Sequence, residues 1–442
     1  MTTLEAPRHM TPTPPSAPRR AVNPWTVVAL LWPVALLNYF DRQMLSTMKL
    51  SMQADIPALQ SAEHFGQLMA IFLWVYAFCS PLSGMLADRL NRKWLIVGSL
   101  GVWSTVTLLM GFTNDFNHLY ILRGLMGISE AAYIPAGLAL ITDYHRGPTR
   151  SLAVGIHMTG IYTGAALGGA GGWLAQTLSW HKAFFLLGVV GVVYAFVLLV
   201  FLREKRSGEG ENETSTVITA KSEPPVQWLS FGLLLLCFAL PSMAGWGVKN
   251  WLPTLLQDRF ALNEAQSGLW ATISTQAASF AGVILGARFA DIRASRTIRG
   301  RTQTSALGLF LMVPALVGLG LAPGLALTIL AAMLFGFGIG VIDANNMPIL
   351  CQIAPPRFRA TGYGLMNFFG IAAGAYLTPL LGRLKDGGVP LSLCFALCAI
   401  PTLLAVALML LLRPRDMDDS LLADGALANL AAEAPLADPQ SN

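Results

Sequence analysis

The chain has 442 residues, 54% of them hydrophobic and 12% charged, where a soluble domain carries roughly 25% charged residues. With a mean hydropathy of +0.56 such a chain cannot clothe a water-facing surface, and an all-α polytopic membrane protein is the class that remains. The net charge of +5 does not signal nucleic-acid binding, because in such a chain the location of Lys and Arg matters more than their sum.

Residues 1–24, rich in Pro, Thr and Arg, read as a disordered cytoplasmic tail, with no signal-peptide cleavage site after the first apolar run. Twelve apolar runs follow. All are expected to be helical, because lipid admits only helices or closed barrels. Six lie near 25–48, 64–87, 94–112, 118–141, 152–174 and 182–202. A polar central loop at 203–226 separates them from six more near 227–256, 264–288, 304–322, 325–350, 361–382 and 388–412. Residues 413–442 form a second tail. Two six-helix pseudo-repeats, 25–202 and 227–412, are the predicted domains, with twelve transmembrane helices in all.

Lys and Arg orient the chain. The side holding both termini carries 21 of them and the other side 5, with Arg42, Arg123 and Lys249 inside or at the rim. Both termini are therefore expected in the cytoplasm, and the protein in the inner (cytoplasmic) membrane of the cell. The five cysteines lie in or beside apolar runs without a CxxC pair, and read as small buried hydrophobes. No metal or cofactor is expected, and no HExxH, GxSxG or GxxxxGK followed by Ser or Thr occurs. Enzyme chemistry and ATP-driven pumping by this chain alone are thereby excluded.

Charges inside the apolar runs carry the functional argument. Asn38-Tyr39-Phe40-Asp41-Arg42 sits in the first run, where each charge costs about 2.5–3.5 kcal/mol to insert and usually faces protein or a water-filled path. A place in the first loop is the alternative. In the fourth run Arg123, Gly127 and Glu130 share one helix face. Arg123 and Glu130 lie about 10 Å apart along the axis, too far to pair directly. Asp41 and Arg42 fall at a depth comparable to Arg123, with Glu130 nearer the midplane and without an adjacent base. This depth match argues for the membrane position. A structural network, Asp41 with Arg123 and Glu130 with a buried hydroxyl, competes with a transport role.

The second run closes on Gly84-Met85-Leu86-Ala87-Asp88-Arg89-Leu90-Asn91-Arg92-Lys93. This is a sharp match to G-x-x-x-D-R-x-x-R-R/K. A degenerate copy with Gly286, Asp291 and Arg293 follows the eighth run. Twelve spans, a central loop and this decapeptide together resemble the major facilitator superfamily. In such a fold Gly84 permits close helix approach, and Asp88, Arg89, Arg92, Lys93 and Asp291 belong to a gate whose contacts form in the outward-open state. A plain basic loop retained inside is the alternative. Asp343, beside Asn345 and Asn346, is either a further gate residue or a boundary residue.

A narrower likeness rests on Asn38-Tyr39-x-Asp41-Arg42 paired with Arg123-x-x-x-Gly127-x-x-Glu130-Ala131, and on Trp251-Leu252-Pro253-Thr254. These resemble the anion:cation symporters, which move sugar acids and related organic anions, mostly with protons. The resemblance implies that Arg42 binds the substrate carboxylate and that Asp41 and Glu130 carry coupling protons. It also implies that Tyr76 faces the substrate. Arg123, His157, Tyr162, Gln276 and Asn367 complete the expected lining, along with Tyr376, Ser274 and Thr275. Helix-to-helix packing is the competing role for His157, Gln276 and Asn367. The expected partners are a small organic anion, protons and the lipid bilayer, with the chain monomeric. The same two elements also occur in spinster-like lipid exporters, so an amphiphilic substrate is the rival reading. A cavity lined mostly with Met, Phe and Leu would favour it.

Overall fold

The computed structural model describes residues 23–145, 149–204 and 226–414, with all their side chains except those of residues 88, 89, 151, 356, 357 and 360. Most of the tails anticipated at 1–24 and 413–442 and of the loop at 203–226, and the side chains of Asp88 and Arg89, lie outside the described residues.

The described residues form sixteen α-helices and no strand. They are α1 (Pro24–Thr47), α2 (Lys49–Asp55), α3 (Ala62–Arg89), α4 (Arg92–Met110), α5 (Phe116–Ala131), α6 (Tyr133–Tyr144), α7 (Arg150–Leu167) and α8 (Gly171–Thr177). There follow α9 (Trp180–Phe201), α10 (Trp228–Phe260), α11 (Glu264–Ala294), α12 (Gly300–Leu321), α13 (Leu325–Cys351), α14 (Pro356–Asp386), α15 (Leu391–Leu397) and α16 (Ala399–Leu411). Helix starts are marked by side chains that satisfy free backbone N–H groups. Asn23, Ser61, Asn91, Asp115, Ser179 and Asn263 each accept from the backbone two or three residues on.

Each of the twelve predicted runs is helical, with two departures. Several helices outrun the hydrocarbon: α10 has 33 residues, about 50 Å at 1.5 Å per residue against a core of about 30 Å. Their ends therefore project beyond it. Three spans are also broken. The fourth breaks at Ala132, where Pro135 withholds an N–H from the carbonyl of Ala131, and the twelfth at Cys398, where Pro401 does the same to Leu397. The fifth breaks at the 3-10 turn Gly168–Ala170. Among the described residues ten helical segments are long and apolar enough to cross a membrane. The first and fifth spans are not among them: the first carries the polar stretch Asn38–Gln43, and the fifth carries Arg150 and His157 and ends at the break at Gly168. Val193, Phe196, Val200 and Phe201 on α9 stand exposed, which only a lipid solvent makes favourable.

The two halves pair their helices alike. In the first half α1 packs on α7, α3 on α5, and α4 on α9; in the second α10 packs on α14, α11 on α13, and α12 on α16. The seam repeats the same symmetry, with α3 against α14 and α7 against α11. Within a half, glycines allow close approach: a Cβ at Gly340 of α13 would press on the Ser279 carbonyl of α11, and Ser279 Oγ donates to the Gly336 carbonyl at 2.9 Å.

Across the seam the halves are joined at the side remote from the termini. Asp386 at the end of α14 accepts from Ser61 Oγ, Ala62 N and Glu63 N at 2.7, 2.9 and 2.9 Å. Arg383 pairs with Glu63 at 2.6 Å, and Glu264 takes both the backbone and the hydroxyl of Ser51. Lys49 lies buried with its ammonium 5.5 Å from the Phe65 ring of α3 and 5.1 Å from the Trp251 ring of α10. At the opposite side, where α1 begins and α16 finishes, the halves stand apart. The close approach expected at Gly84 is absent, with nothing within 4 Å of an added Cβ. The described members of the loop motifs make their contacts inside their own halves: Arg92 pairs with Asp143, Lys93 donates to the Leu199 carbonyl, and Asp291 pairs with Arg301.

The contrast between these glycines is testable. Gly340→Leu forces α11 and α13 apart, an overpacking cost of about 1–3 kcal/mol, and should lower the thermal unfolding midpoint in detergent. Gly84→Ala enters open space and should leave that midpoint unchanged.

Candidate functional site

A cavity of about 1390 Å³ opens between the halves. Its wall includes the far ends of the open side, from Gly84 and Met85 on α3 to Met347 on α13, and it ends below the sealed side. Polar groups converge on it from six helices: Tyr39, Arg42 and Gln43 of α1, Tyr76 of α3, Tyr162 of α7, Lys249 of α10, Gln276 of α11, and Asp343 and Asn346 of α13. Tyr363 and Asn367 of α14 add a seventh. Much of the remaining wall is apolar, with Phe238, Met312, Phe335 and Ile339 from the second half.

Arg42 is the centre of the polar patch. Its Nε donates to Glu130 Oε2 at 2.5 Å, and its guanidinium carbon lies 4.8, 5.0 and 4.5 Å from the rings of Tyr39, Phe72 and Tyr76. Three ring faces thus replace water around the cation. Its Nη2 has no partner, and neither has Glu130 Oε1, although Glu130 is fully buried. The expectation that Glu130 stands without an adjacent base is therefore corrected. The reason is geometric: consecutive helix residues point about 100° apart. Arg42 turns toward α5 and the cavity, while Asp41 turns toward α4 and accepts from Thr107 Oγ1 at 3.3 Å.

The pairing of Asp41 with Arg123 is likewise not formed, since no oxygen of Asp41 lies within 4 Å of a basic nitrogen among the described residues. Arg123 sits behind the wall, with Nη1 on Met126 Sδ at 3.2 Å and its guanidinium carbon 4.8 Å from the Phe72 ring. The Phe72 ring thus neighbours both guanidinium groups.

Of the residues expected from sequence, Arg42, Tyr76, Tyr162, Gln276, Asn367, Thr275, Asp343 and Gly84 reach the cavity. Asp41 and Glu130 lie one layer behind it. His157 does not line it. It is fully buried 5.9 Å from the Tyr133 ring, with both ring nitrogens unpartnered. Its successors Met158 and Thr159 take the wall, so one step of helix rotation turns His157 into the packing between α6 and α7. Tyr376 is exposed on the outside of α14, and the Ser274 hydroxyl back-bonds to the Trp270 carbonyl. Sequence reasoning missed Lys249. The signal was the one used for Arg42, a lone charge inside an apolar run, but its position near the end of the predicted seventh span left it at the rim. No cluster of three metal-binding side chains occurs among the described residues.

The sequence profile of the Major Facilitator Superfamily matches residues 31–375. The chain belongs to that superfamily. Among the relatives of this major facilitator transporter is the D-galactonate transporter of Escherichia coli O6:H1, 24% identical over 402 residues, 85% of this chain and 92% of the relative. Protein spinster of Drosophila melanogaster is 26% identical over 407 residues, 86% of this chain and 66% of its own length. The crystal structure of a bacterial homolog of the human lysosomal transporter Spinster, inward-facing and occupied, shares the fold with a TM-score of 0.72 at 19% identity, covering 88% of this chain and 96% of that one. The chain also resembles the anion:cation symporter type of carrier, through relatives with names such as the first.

Removing one member of the buried pair leaves the other charged and alone. Arg42→Ala is expected to cost about 3–5 kcal/mol of stability, and Arg42→Ala combined with Glu130→Gln to cost less than Arg42→Ala alone. Unfolding of the single and double variants in nanodiscs measures the coupling; strictly additive effects would show that the pair is not energetically linked.

Proposed function

We propose that this major facilitator transporter carries a small organic anion, a sugar acid or related carboxylate, together with protons. The observation that carries the reading is Arg42, a cavity-lining side chain whose guanidinium Nε is held by Glu130. Arg offers a carboxylate a bidentate grip without losing its charge. The relative named as a D-galactonate transporter supports the same class.

Coupling follows from sharing Arg42. While Glu130 is ionised it holds the guanidinium; a proton on Glu130 weakens that hold and releases Arg42 to a substrate carboxylate. Loss of the substrate returns Arg42 to Glu130 and favours release of the proton. Asp41, out of the cavity on Thr107, is a second proton carrier whose ionisation Arg123 influences across Phe72. By the Lys and Arg distribution the open side is the cytoplasm, so the conformation is inward-facing, in an inner membrane with both termini cytoplasmic. Transport exchanges this state for an outward-facing one by rocking residues 25–202 against 227–412. That motion breaks the Asp386 and Glu264 contacts and brings Gly84 and the loop motifs of Asp88 and Asp291 into contact across the opposite side.

The apolar second-half wall favours a second reading, an amphiphilic anion such as a lysolipid. Thermal shifts with sugar acids and lysolipids separate the two.

In proteoliposomes, Glu130→Gln is expected to abolish accumulation driven by a proton gradient while sparing substrate exchange. Unimpaired accumulation would remove the coupling assignment. Arg42→Ala is expected to weaken anion binding at least 100-fold, corresponding to about 3 kcal/mol; an unchanged affinity would favour the amphiphile.

A further inference from the structure

Lys249 of α10 lines the same cavity as Arg42 of α1, from the other half of the molecule. Its ammonium lies 5.2 Å from the Tyr39 ring and 4.8 Å from the Trp246 ring, and makes no hydrogen bond or ion pair among the described residues. Arg42 lies 4.8 Å from that same Tyr39 ring. One aromatic ring thus carries two cations, whose charge centres are at most about 10 Å apart. Gln43 Nε2 donates to the Lys249 carbonyl at 3.1 Å, which ties α1 to α10 at this level and holds the two cations in register.

The nearby acids do not neutralise this pair of charges directly. Glu130 is engaged by Arg42 Nε, and Asp343, although it faces the same cavity, lies beyond 4 Å of the Lys249 ammonium. Asp343 instead accepts a 3.4 Å contact from the Asn346 amide. Two cationic side chains therefore line the cavity, Arg42 with its Nε on Glu130 and Lys249 with no ion pair among the described residues. A ligand with a single anionic group satisfies one of them and leaves the other without a partner as the cavity closes and loses water.

We propose that the occupant is a dianion, a diacid of about four to six carbons, with one carboxylate on Arg42 and the other on Lys249. The inference rests on the organic-anion reading and narrows it. Contacts of about 2.8 Å at each cation leave room for a chain of about four carbons, and the flexible lysine stem extends the reach to six. Such a ligand bridges the two halves, so its binding acts directly on their relative position. Asp343 then serves as the longer-range counter-charge of Lys249 when the site is empty.

The test compares matched acids of equal chain length, succinate with butyrate and galactarate with galactonate, by calorimetry on the full chain in nanodiscs. The wild type should bind the diacid of at least one pair tenfold or more tightly than its monoacid. Lys249→Met and Lys249→Gln should lose that preference, weakening the diacid by more than the monoacid, while Lys249→Arg retains it. Equal wild-type affinity for monoacid and diacid, or a preference that persists in both neutral variants, overturns the proposal and leaves the organic-anion reading standing. So does equal weakening of both acids in those variants. Failure of the wild type to bind any of the four acids removes the organic-anion reading and the diacid proposal together.

Discussion

A carboxylate and a guanidinium held out of water, Glu130 against Arg42, set the terms for the rest of the site. Each alone would be strongly disfavoured at this depth, so each requires the other. The pair is nonetheless incompletely satisfied. Orphaned polar atoms concentrate around it on Asn38, Asp41, Gln43 and Arg123 as well as on the pair itself. A purely structural ion pair in a dry core would have its remaining donors and acceptors matched. The rings of Tyr39, Phe72 and Tyr76 flank the buried guanidinium of Arg42 without claiming its hydrogen-bonding capacity.

Close glycine contacts pack the helices within each half and also across the seam between them. Inside a half, glycine-lined helix contacts such as α11 on α13 leave no slack, since backbone meets backbone. The seam carries contacts as close as these, Gly66 against Pro379, Gly382 against Ala62 and Gly169 against Gly268, together with Asp386 on the start of α3, Arg383 on Glu63, and Glu264 on Ser51. The ionic set of Asp41, Arg42, Arg123 and Glu130 belongs entirely to the first half, and the second half contributes a mainly apolar wall interrupted by Lys249 and Asp343.

Much of this was legible in the residues. Twelve apolar runs around a polar middle specify twelve helices, because in lipid every backbone group must bond within its own segment. Charges inside those runs drew attention to α1 and α5, and Arg42, Tyr76, Tyr162, Gln276 and Asn367, expected as lining, do line the cavity. The breaks at Ala132 and Cys398 were also present in the sequence, as Pro135 and Pro401 three residues on, but hydropathy averages over them.

What only the tertiary structure decided is which side chains meet. Asp41 and Arg42 are neighbours in sequence and diverge in space, whereas Arg42 and Glu130 are 88 residues apart and touch. His157, Arg123 and Tyr376 left the expected lining, and Lys249 joined it. Hydropathy and spacing are local quantities that determine whether a segment crosses the membrane and which residues share its face. The direction of that face is set by the rotation of each helix against its neighbours. That rotation is decided by close packing at positions such as Gly336 and Gly340, which no single segment contains.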